Sequence, residues 1–229
     1  MKKYQKRFLG IGDETVLFDD IRCRVKHIPL KRIFDISFSS FILLISLPII
    51  GIISLLIKLF SKGPIFYSHE RIGRGGDRFK CYKFRTMYPD AEIRLKEILQ
   101  SNPDMKREWE LTRKLQKDPR VIPIGNILRK TSLDELPQFW NVLKGDLSVV
   151  GPRPVVEDEM EKHFGLKAGK ILSIRPGITG IWQVSGRNDT SYNKRVMLDE
   201  KYVDQRSMML DLKLIAKTIP SMITSKGAY

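Results

Sequence analysis

The run Ile36-Ser37-Phe38-Ser39-Ser40-Phe41-Ile42-Leu43-Leu44-Ile45-Ser46-Leu47-Pro48-Ile49-Ile50-Gly51-Ile52-Ile53-Ser54-Leu55-Leu56-Ile57 decides what kind of fold this chain can adopt. It carries no formal charge. As an α-helix it would extend about 33 Å, enough to cross the hydrocarbon of a bilayer. Two features argue against a plain crossing. Pro48, near the middle, removes a backbone donor and strands a carbonyl one turn back, and the Ser46 hydroxyl is placed to satisfy that carbonyl. Lys31 and Arg32 precede the run and Lys58 and Lys62 follow it, so both ends carry the charge that stays cytoplasmic. A helix bent at Pro48 that enters and leaves by one face meets both observations. A single crossing with a proline kink is the alternative.

Around this segment, 229 residues are enough to bury a real core and build one domain with an appendage. The formal charge of +15 fits nucleic acid, an anionic membrane or phosphorylated substrates equally well. The apolar run and the absence of a recognisable nucleic-acid motif count against the first. Cys23 and Cys81 have no metal-binding spacing and suggest no disulfide framework, which points to a reducing compartment. Residues 1–30 begin with Lys2, Lys3, Lys6 and Arg7 but lack the apolar stretch of a signal peptide; they read as an arm of unknown role.

A second stretch carries the chemistry: Thr131-Ser132-Leu133-Asp134-Glu135-Leu136-Pro137-Gln138. Ser132 and Glu135 fit a capping box, and Leu136, Phe139, Trp140 and Leu143 recur at helical spacing until Lys144-Gly145. This predicts a helix with Asp134 in its first turn, where the dipole favours carboxylates and phosphates. Pro137 leaves the start uncertain by a residue. A serine and a glutamate at this spacing usually mean only a helix start. The surrounding cations, Arg129, Lys130, Lys144 and Arg153, suit a site that handles phosphates and a metal ion.

Elsewhere, Pro64–Tyr67, Arg71–Asp77 and Phe79–Arg85 read as strands joined by a glycine turn. Arg71, Arg74 and Arg78 fit a solvated face near acidic headgroups, whereas Lys83 and Arg85 lie among aromatics and closer to the core. Asp90 starts a helix through Leu99, and a second runs from Asp104 through Trp109 to Leu115. Arg175 to Asp189 is loop and short strand, with Arg175 and Arg187 as phosphate forks. A last helix places Met208, Leu212, Ile215, Ile219 and Met222 on one core or interfacial face, with Asp211 at its edge in need of a partner.

In order, the apolar segment, Tyr82-Lys83-Phe84-Arg85-Thr86-Met87, Ser132-Leu133-Asp134-Glu135-Leu136, Asn141-Val142-Leu143-Lys144-Gly145-Asp146, Gly151-Pro152-Arg153-Pro154, Arg175-Pro176-Gly177-Ile178-Thr179-Gly180 and Ser185-Gly186-Arg187-Asn188 resemble the bacterial sugar transferases. These are monotopic polyprenyl-phosphate phosphoglycosyl transferases. The resemblance runs from about Lys31 to Gly227-Ala228-Tyr229.

The resemblance implies an α+β fold: a membrane-embedded re-entrant helix over residues 31–62, broken at Ser46 and Pro48, and a small cytoplasmic α/β catalytic domain with interfacial helices over 63–229. It implies transfer of a sugar 1-phosphate from a UDP-sugar to undecaprenyl phosphate, with release of UMP, at the cytoplasmic face of the bacterial inner membrane. Asp134 is then the nucleophile, Mg2+ is held by Asp134 and Glu135, and Glu135 is either metal ligand or base. Lys83, Arg85, Arg129, Arg153, Arg175 and Arg187 are implied near phosphates and Asp211 near the site. Expected partners are the two substrates and the anionic inner leaflet, with room for a homo-oligomer and no nucleic acid. The ending and the catalytic region look most like members using UDP-galactose or UDP-glucose. A bitopic anchor carrying a basic, non-catalytic module is the competing expectation; it needs neither acid.

Overall fold

A computed structural model describes residues 29–112, 115, 117–185 and 191–223. The arm at 1–28, Cys23, Arg187 and the Gly-Ala-Tyr ending lie outside the described residues. The fold is α+β and mostly helical, with two small two-stranded sheets among the described residues.

The apolar run forms most of a 32-residue helix, α1 (Pro29–Phe60), which contains Pro48. At 1.5 Å per residue it is about 48 Å long. Ser46 Oγ donates to the carbonyls of Ile42 (2.6 Å) and Leu43 (3.2 Å). The carbonyl that Pro48 strands belongs to Leu44, so Ser46 does not rescue it as the sequence suggested. The hydroxyl instead back-bonds to its own preceding turn, the habitual contact of a helical serine.

One narrow stripe of α1 is buried: Asp35, Ser39, Ser46, Ile53 and Ile57, at helical spacing. The stripe docks at two places on the same body. Near the start, Arg32 donates to the carbonyls of Val142 (2.7 Å) and Leu143 (3.0 Å), and Asp35 accepts from Ser148 Oγ (2.8 Å) and the Val149 N–H (3.2 Å). Near the end, Ile53 and Ile57 pack with Phe84, Ile122 and Leu128. Phe38 and Ile50 flank the stripe and pack against the body, and much of the remaining surface is bare: Leu44, Ile45, Leu55 and Leu59 are more than 60% exposed. The helix is long and apolar enough to cross a membrane.

β1 (Phe66–Ile72) and β2 (Arg78–Phe84) form an antiparallel hairpin with Tyr67 opposite Lys83. Its turn is a 3-10 segment, Arg74–Gly76, where Gly75 and Gly76 take positive φ. The sequence divided this region into more strands; Gly73–Asp77 is turn rather than strand. α2 (Ala91–Ser101) begins after Asp90, but that carboxylate pairs with Arg94 and makes no cap. Asn102 does cap α3 (Pro103–Thr112), accepting from the N–H groups of Asp104 and Met105.

α4 (Pro123–Thr131) ends at Ser132, whose φ of 56° is left-handed. Leu133–Glu135 then form a 3-10 turn, and α5 (Gln138–Lys144) starts only after Pro137. The expected capping box is therefore absent: Ser132 closes α4 through its backbone, and the Glu135 carboxylate is taken by Lys83. Asp134 lies in the 3-10 turn, not in the first turn of a helix. Pro137 at the boundary is well accommodated, because nothing there requires its N–H. The expected inner face of α5 is also turned. It buries Gln138, Asn141 and Val142, while Trp140 is 55% exposed. Asn141 sets this orientation by bonding to β2, as described below.

β3 (Ser148–Val150) pairs in parallel with β4 (Gly177–Thr179). A Cβ on Gly177 would lie 2.0 Å from the Gly151 nitrogen, so only glycine permits this approach. α6 (Glu157–His163), α7 (Lys167–Ile171), α8 (Ile181–Val184), α9 (Tyr192–Gln205) and α10 (Met208–Ile223) complete the body. α10 buries Asp211 and Leu214, with Leu212 and Ile219 exposed. The expected apolar stripe thus divides, with Met208 half-buried and Ile215 packed on the core while Leu212 and Ile219 face outward as an interfacial face would; the inward side also carries Asp211 with its polar partners.

Candidate functional site

Asp134 and Glu135 share one lysine. Lys83 Nζ lies 2.6 Å from Glu135 Oε1 and 3.6 Å from Asp134 Oδ2. The lysine comes from β2 and the acids from the 3-10 turn, and Asn141 joins the two elements. Its side chain is fully buried; it accepts from the Tyr82 N–H (3.0 Å) and donates to the Lys80 carbonyl (2.7 Å) and Asp146 (3.0 Å). One amide therefore fixes the strand carrying Lys83 against the helix that follows the acids.

Asp134 is 8% exposed. Burial pushes its carboxyl up to about 6, with Glu135 adding to the rise and Lys83 and Arg129 opposing it. Burial would lower Lys83, but Glu135 and Asp134 outweigh it and hold the ammonium above its ordinary value. At neutral pH the site contains an ionised, half-desolvated carboxylate that can act as a nucleophile. Arg129 is oriented by Thr86, whose Oγ1 accepts from its Nε at 2.9 Å.

A basic wall adjoins the pair. Arg153, in Gly151-Pro152-Arg153-Pro154, stacks over the Trp182 ring at 5.0 Å. Its loop is pinned by the Gly151 N–H to Thr179 (2.9 Å) and the Gly177 N–H to Pro152 (2.8 Å). Burial lowers Arg71, and the charge of Arg153 lowers it further, so these two cations lie in one field. Arg195 also lies over the Trp182 ring, at 4.6 Å, near Asp199, whose carboxyl burial pushes up to about 7.

The remaining expected residues go elsewhere. Arg85 clamps the end of α1, donating to the carbonyls of Lys62 (2.8 Å) and Ser61 (2.9 Å). Ser46 and Pro48 lie in α1, and Arg187 lies outside the described residues. Arg175 and Asp211 line a different cleft at the foot of α1. Arg71, Asn141, Trp182, Arg195 and Asp199 were not singled out as functional from sequence. The Arg195–Asp199 spacing of one helical turn was the available signal; Arg71 reads as a headgroup cation until its strand is folded.

Among the described residues no three His, Cys, Asp or Glu groups gather to hold a metal. The adjacent carboxylates of Asp134 and Glu135 do fit Mg2+, which typically takes one or two carboxylates and completes its shell with water and substrate phosphates.

A family model described as bacterial sugar transferase matches residues 26–225. An exopolysaccharide production protein, ExoY, of Rhizobium meliloti is 50% identical over 87% of this chain and 88% of its own length. An undecaprenyl-phosphate galactose phosphotransferase of Salmonella typhimurium is 47% identical over 87% of this chain but 42% of its own. A UDP-glucose:undecaprenyl-phosphate glucose-1-phosphate transferase of Escherichia coli is 38% identical over 87% of this chain and 41% of its own.

Proposed function

The chain belongs to the bacterial sugar transferase family, and from that premise we propose that it transfers a hexose 1-phosphate from UDP-galactose or UDP-glucose to undecaprenyl phosphate. The observation that carries this reading is Asp134: a buried carboxylate beside Glu135, held by Lys83, in the field of Arg129, with Arg153 acting on the same lysine. A carboxylate cannot approach a diphosphate until charge is neutralised, and this is an acid set among cations.

In the first step an Asp134 oxygen attacks the sugar-bearing phosphorus. The P–O bond to the nucleotide breaks, and UMP leaves with that oxygen and its electron pair. In the second, an oxygen of undecaprenyl phosphate attacks the same phosphorus and restores the free carboxylate. Asp134 and Glu135 would hold Mg2+, which when bound supplies neutralisation of the diphosphate charge. Lys83 keeps Asp134 ionised and aimed, Arg153 and Arg129 face the phosphates, and Glu135 serves as metal ligand or as base for the acceptor.

The reaction belongs at the cytoplasmic face of the bacterial inner membrane, at the first lipid-linked step of surface polysaccharide synthesis. Support for re-entry comes from docking: Arg32 and Asp35 at one end of α1 and Ile53 and Ile57 at the other hold the same body as Asp134. A helix that carried its start across the bilayer would abandon the first set, leaving Asp35 buried without those partners or exposed to lipid.

The test is UMP release from UDP-galactose and UDP-glucose by purified protein with Mg2+ and no lipid acceptor. A burst equivalent to the enzyme present is expected, with labelled lipid forming only once undecaprenyl phosphate is added. Absence of UMP until acceptor is present would point to direct displacement.

A further inference from the structure

Four arginines from distant parts of the chain converge on the cleft at the foot of α1: Arg32 from α1, Arg74 from the hairpin turn, Arg175 before β4 and Arg206 between α9 and α10. The cleft has a volume of ≈ 80 Å³, room for several waters or one phosphate group. Neither Asp134 nor Lys83 lines it.

Its two acids share one lysine. Lys31 Nζ lies 2.7 Å from Asp35 and 3.1 Å from Asp211, and the Tyr202 hydroxyl donates to Asp211 at 2.7 Å. Among the described residues no ion pair neutralises Arg32, Arg74 or Arg175. Arg32 and Arg175 are aimed by the end of α5, donating to the carbonyls of Val142, Leu143 and Gly145. Arg74 is brought in by the turn, where the Gly75 N–H bonds to the Leu172 carbonyl at 2.8 Å. Burial lowers Arg175, Arg32 and Arg74 lower it further, and Asp35 opposes them; burial also lowers Arg206, with Tyr202 and Asp211 opposing and Arg74 adding to the fall. The guanidinium groups therefore share one field; with Lys31 they set five cations against the two acids Asp35 and Asp211, and that excess of positive charge favours an added anion.

The geometry suits a phosphate. Guanidinium forks bind its oxygens in pairs, and the cleft also meets the N-terminal end of the 16-residue α10 at Ser207 and Met208. Next in sequence to the cleft residues Met208 and Asp211 stand Met209, 62% exposed, and Leu212, 49% exposed.

We propose that this cleft is a second phosphate site, distinct from the one at Asp134, that takes the headgroup of an anionic phospholipid and holds the foot of α1 against the body. Its lipid source rests on the membrane placement proposed above; its chemistry does not rest on catalysis.

Native mass spectrometry of the full chain in detergent tests it, with phosphatidylglycerol, phosphatidylcholine and inorganic phosphate in separate arms. One phosphatidylglycerol should be retained at least about tenfold more tightly than phosphatidylcholine, and inorganic phosphate should compete with it. Arg74→Gln and Arg206→Gln should each weaken retention about tenfold while UMP release stays within about twofold. Arg74→Lys, which keeps the charge but loses the fork, should fall between. Should a glutamine variant fold poorly, the wild-type chain still decides, because retention must fall steeply with added salt. Equal retention of both lipids, or retention by Arg74→Gln and Arg206→Gln at the wild-type level, would overturn the proposal. Binding of inorganic phosphate without either lipid would overturn the lipid source. Loss of UMP release with lipid retention intact would strike the catalytic reading alone.

Discussion

Two of the carboxylate pairs that share a lysine, Asp35 with Asp211 and Asp134 with Glu135, do opposite things. Asp35 and Asp211 share Lys31; both are 2% exposed, and Ser148, Val149 and Tyr202 supply further hydrogen bonds. Asp134 and Glu135 share Lys83, yet the Glu135 side chain is 29% and the Lys83 side chain 33% exposed. The first pair is sealed and saturated, so it ties α1 to β3, α9 and α10. The second is open on one side and faces a wall of arginines. Two acids around a lysine are therefore no signature of catalysis by themselves. What distinguishes them is access.

The contrast is most severely tested by removing one acid from each pair. Asp134→Asn preserves size but removes the nucleophilic oxygen, and UMP release should fall at least about 100-fold, roughly 3 kcal/mol, with circular dichroism unchanged. Asp211→Asn should behave conversely. It should lower stability by about 2–3 kcal/mol in a detergent unfolding series, with activity per folded molecule within about threefold of wild type. Abolished UMP release in Asp211→Asn at unchanged unfolding midpoint would place Asp211 in the chemistry, as the family resemblance implies, and break the contrast.

How far each pair could be read from the chain follows from its contact order. Asp134 and Glu135 are neighbours in sequence, so their pairing and the adjacent cations were legible. Asp35 and Asp211 stand far apart in sequence, and nothing local announces that Lys31 joins them. Local rules also failed in two instructive places. Ser132 and Glu135 match a capping box, but a left-handed Ser132 ends one helix rather than starting the next, and Lys83 competes for the glutamate. In α5 the apolar stripe was correctly found and wrongly aimed, whereas in α10 it divides, Ile215 on the core and Leu212 and Ile219 outward as an interfacial face would lie. Periodicity says that a face exists, whereas Asn141, which needs polar partners, decides which face of α5 turns inward. The apolar helix itself was legible because its composition leaves little choice.

Asn141 sharpens the contrast at intermediate size. If the open pair depends on registry between β2 and α5, Asn141→Ala should lower stability by about 2 kcal/mol and UMP release by about tenfold. Unchanged turnover in a destabilised Asn141→Ala protein would show that Lys83 is positioned some other way.

The smallest expected effects concern protons. Because the Asp134 carboxyl is raised to about 6, the rate of UMP release should drop about tenfold per pH unit below that value. A raised carboxyl favours the folded state when protonated; that stability is full below the unfolded value near 3.8 and is lost as pH rises through about 6. Asp134→Asn should therefore unfold at a higher temperature than wild type at neutral pH, by about 1–2 kcal/mol, with the advantage gone near pH 4. A variant that is less stable than wild type at neutral pH would mean that Lys83 gains more from Asp134 than burial costs it.

The most direct measurement is the intact mass of the wild-type chain after incubation with UDP-galactose or UDP-glucose and Mg2+, without lipid. The predicted result is a mass increase of one hexose phosphate, mapped to the peptide containing Asp134, removed by undecaprenyl phosphate and absent from Asp134→Asn. An unmodified wild-type protein that nevertheless converts both substrates to lipid-linked sugar and UMP would contradict a nucleophilic Asp134.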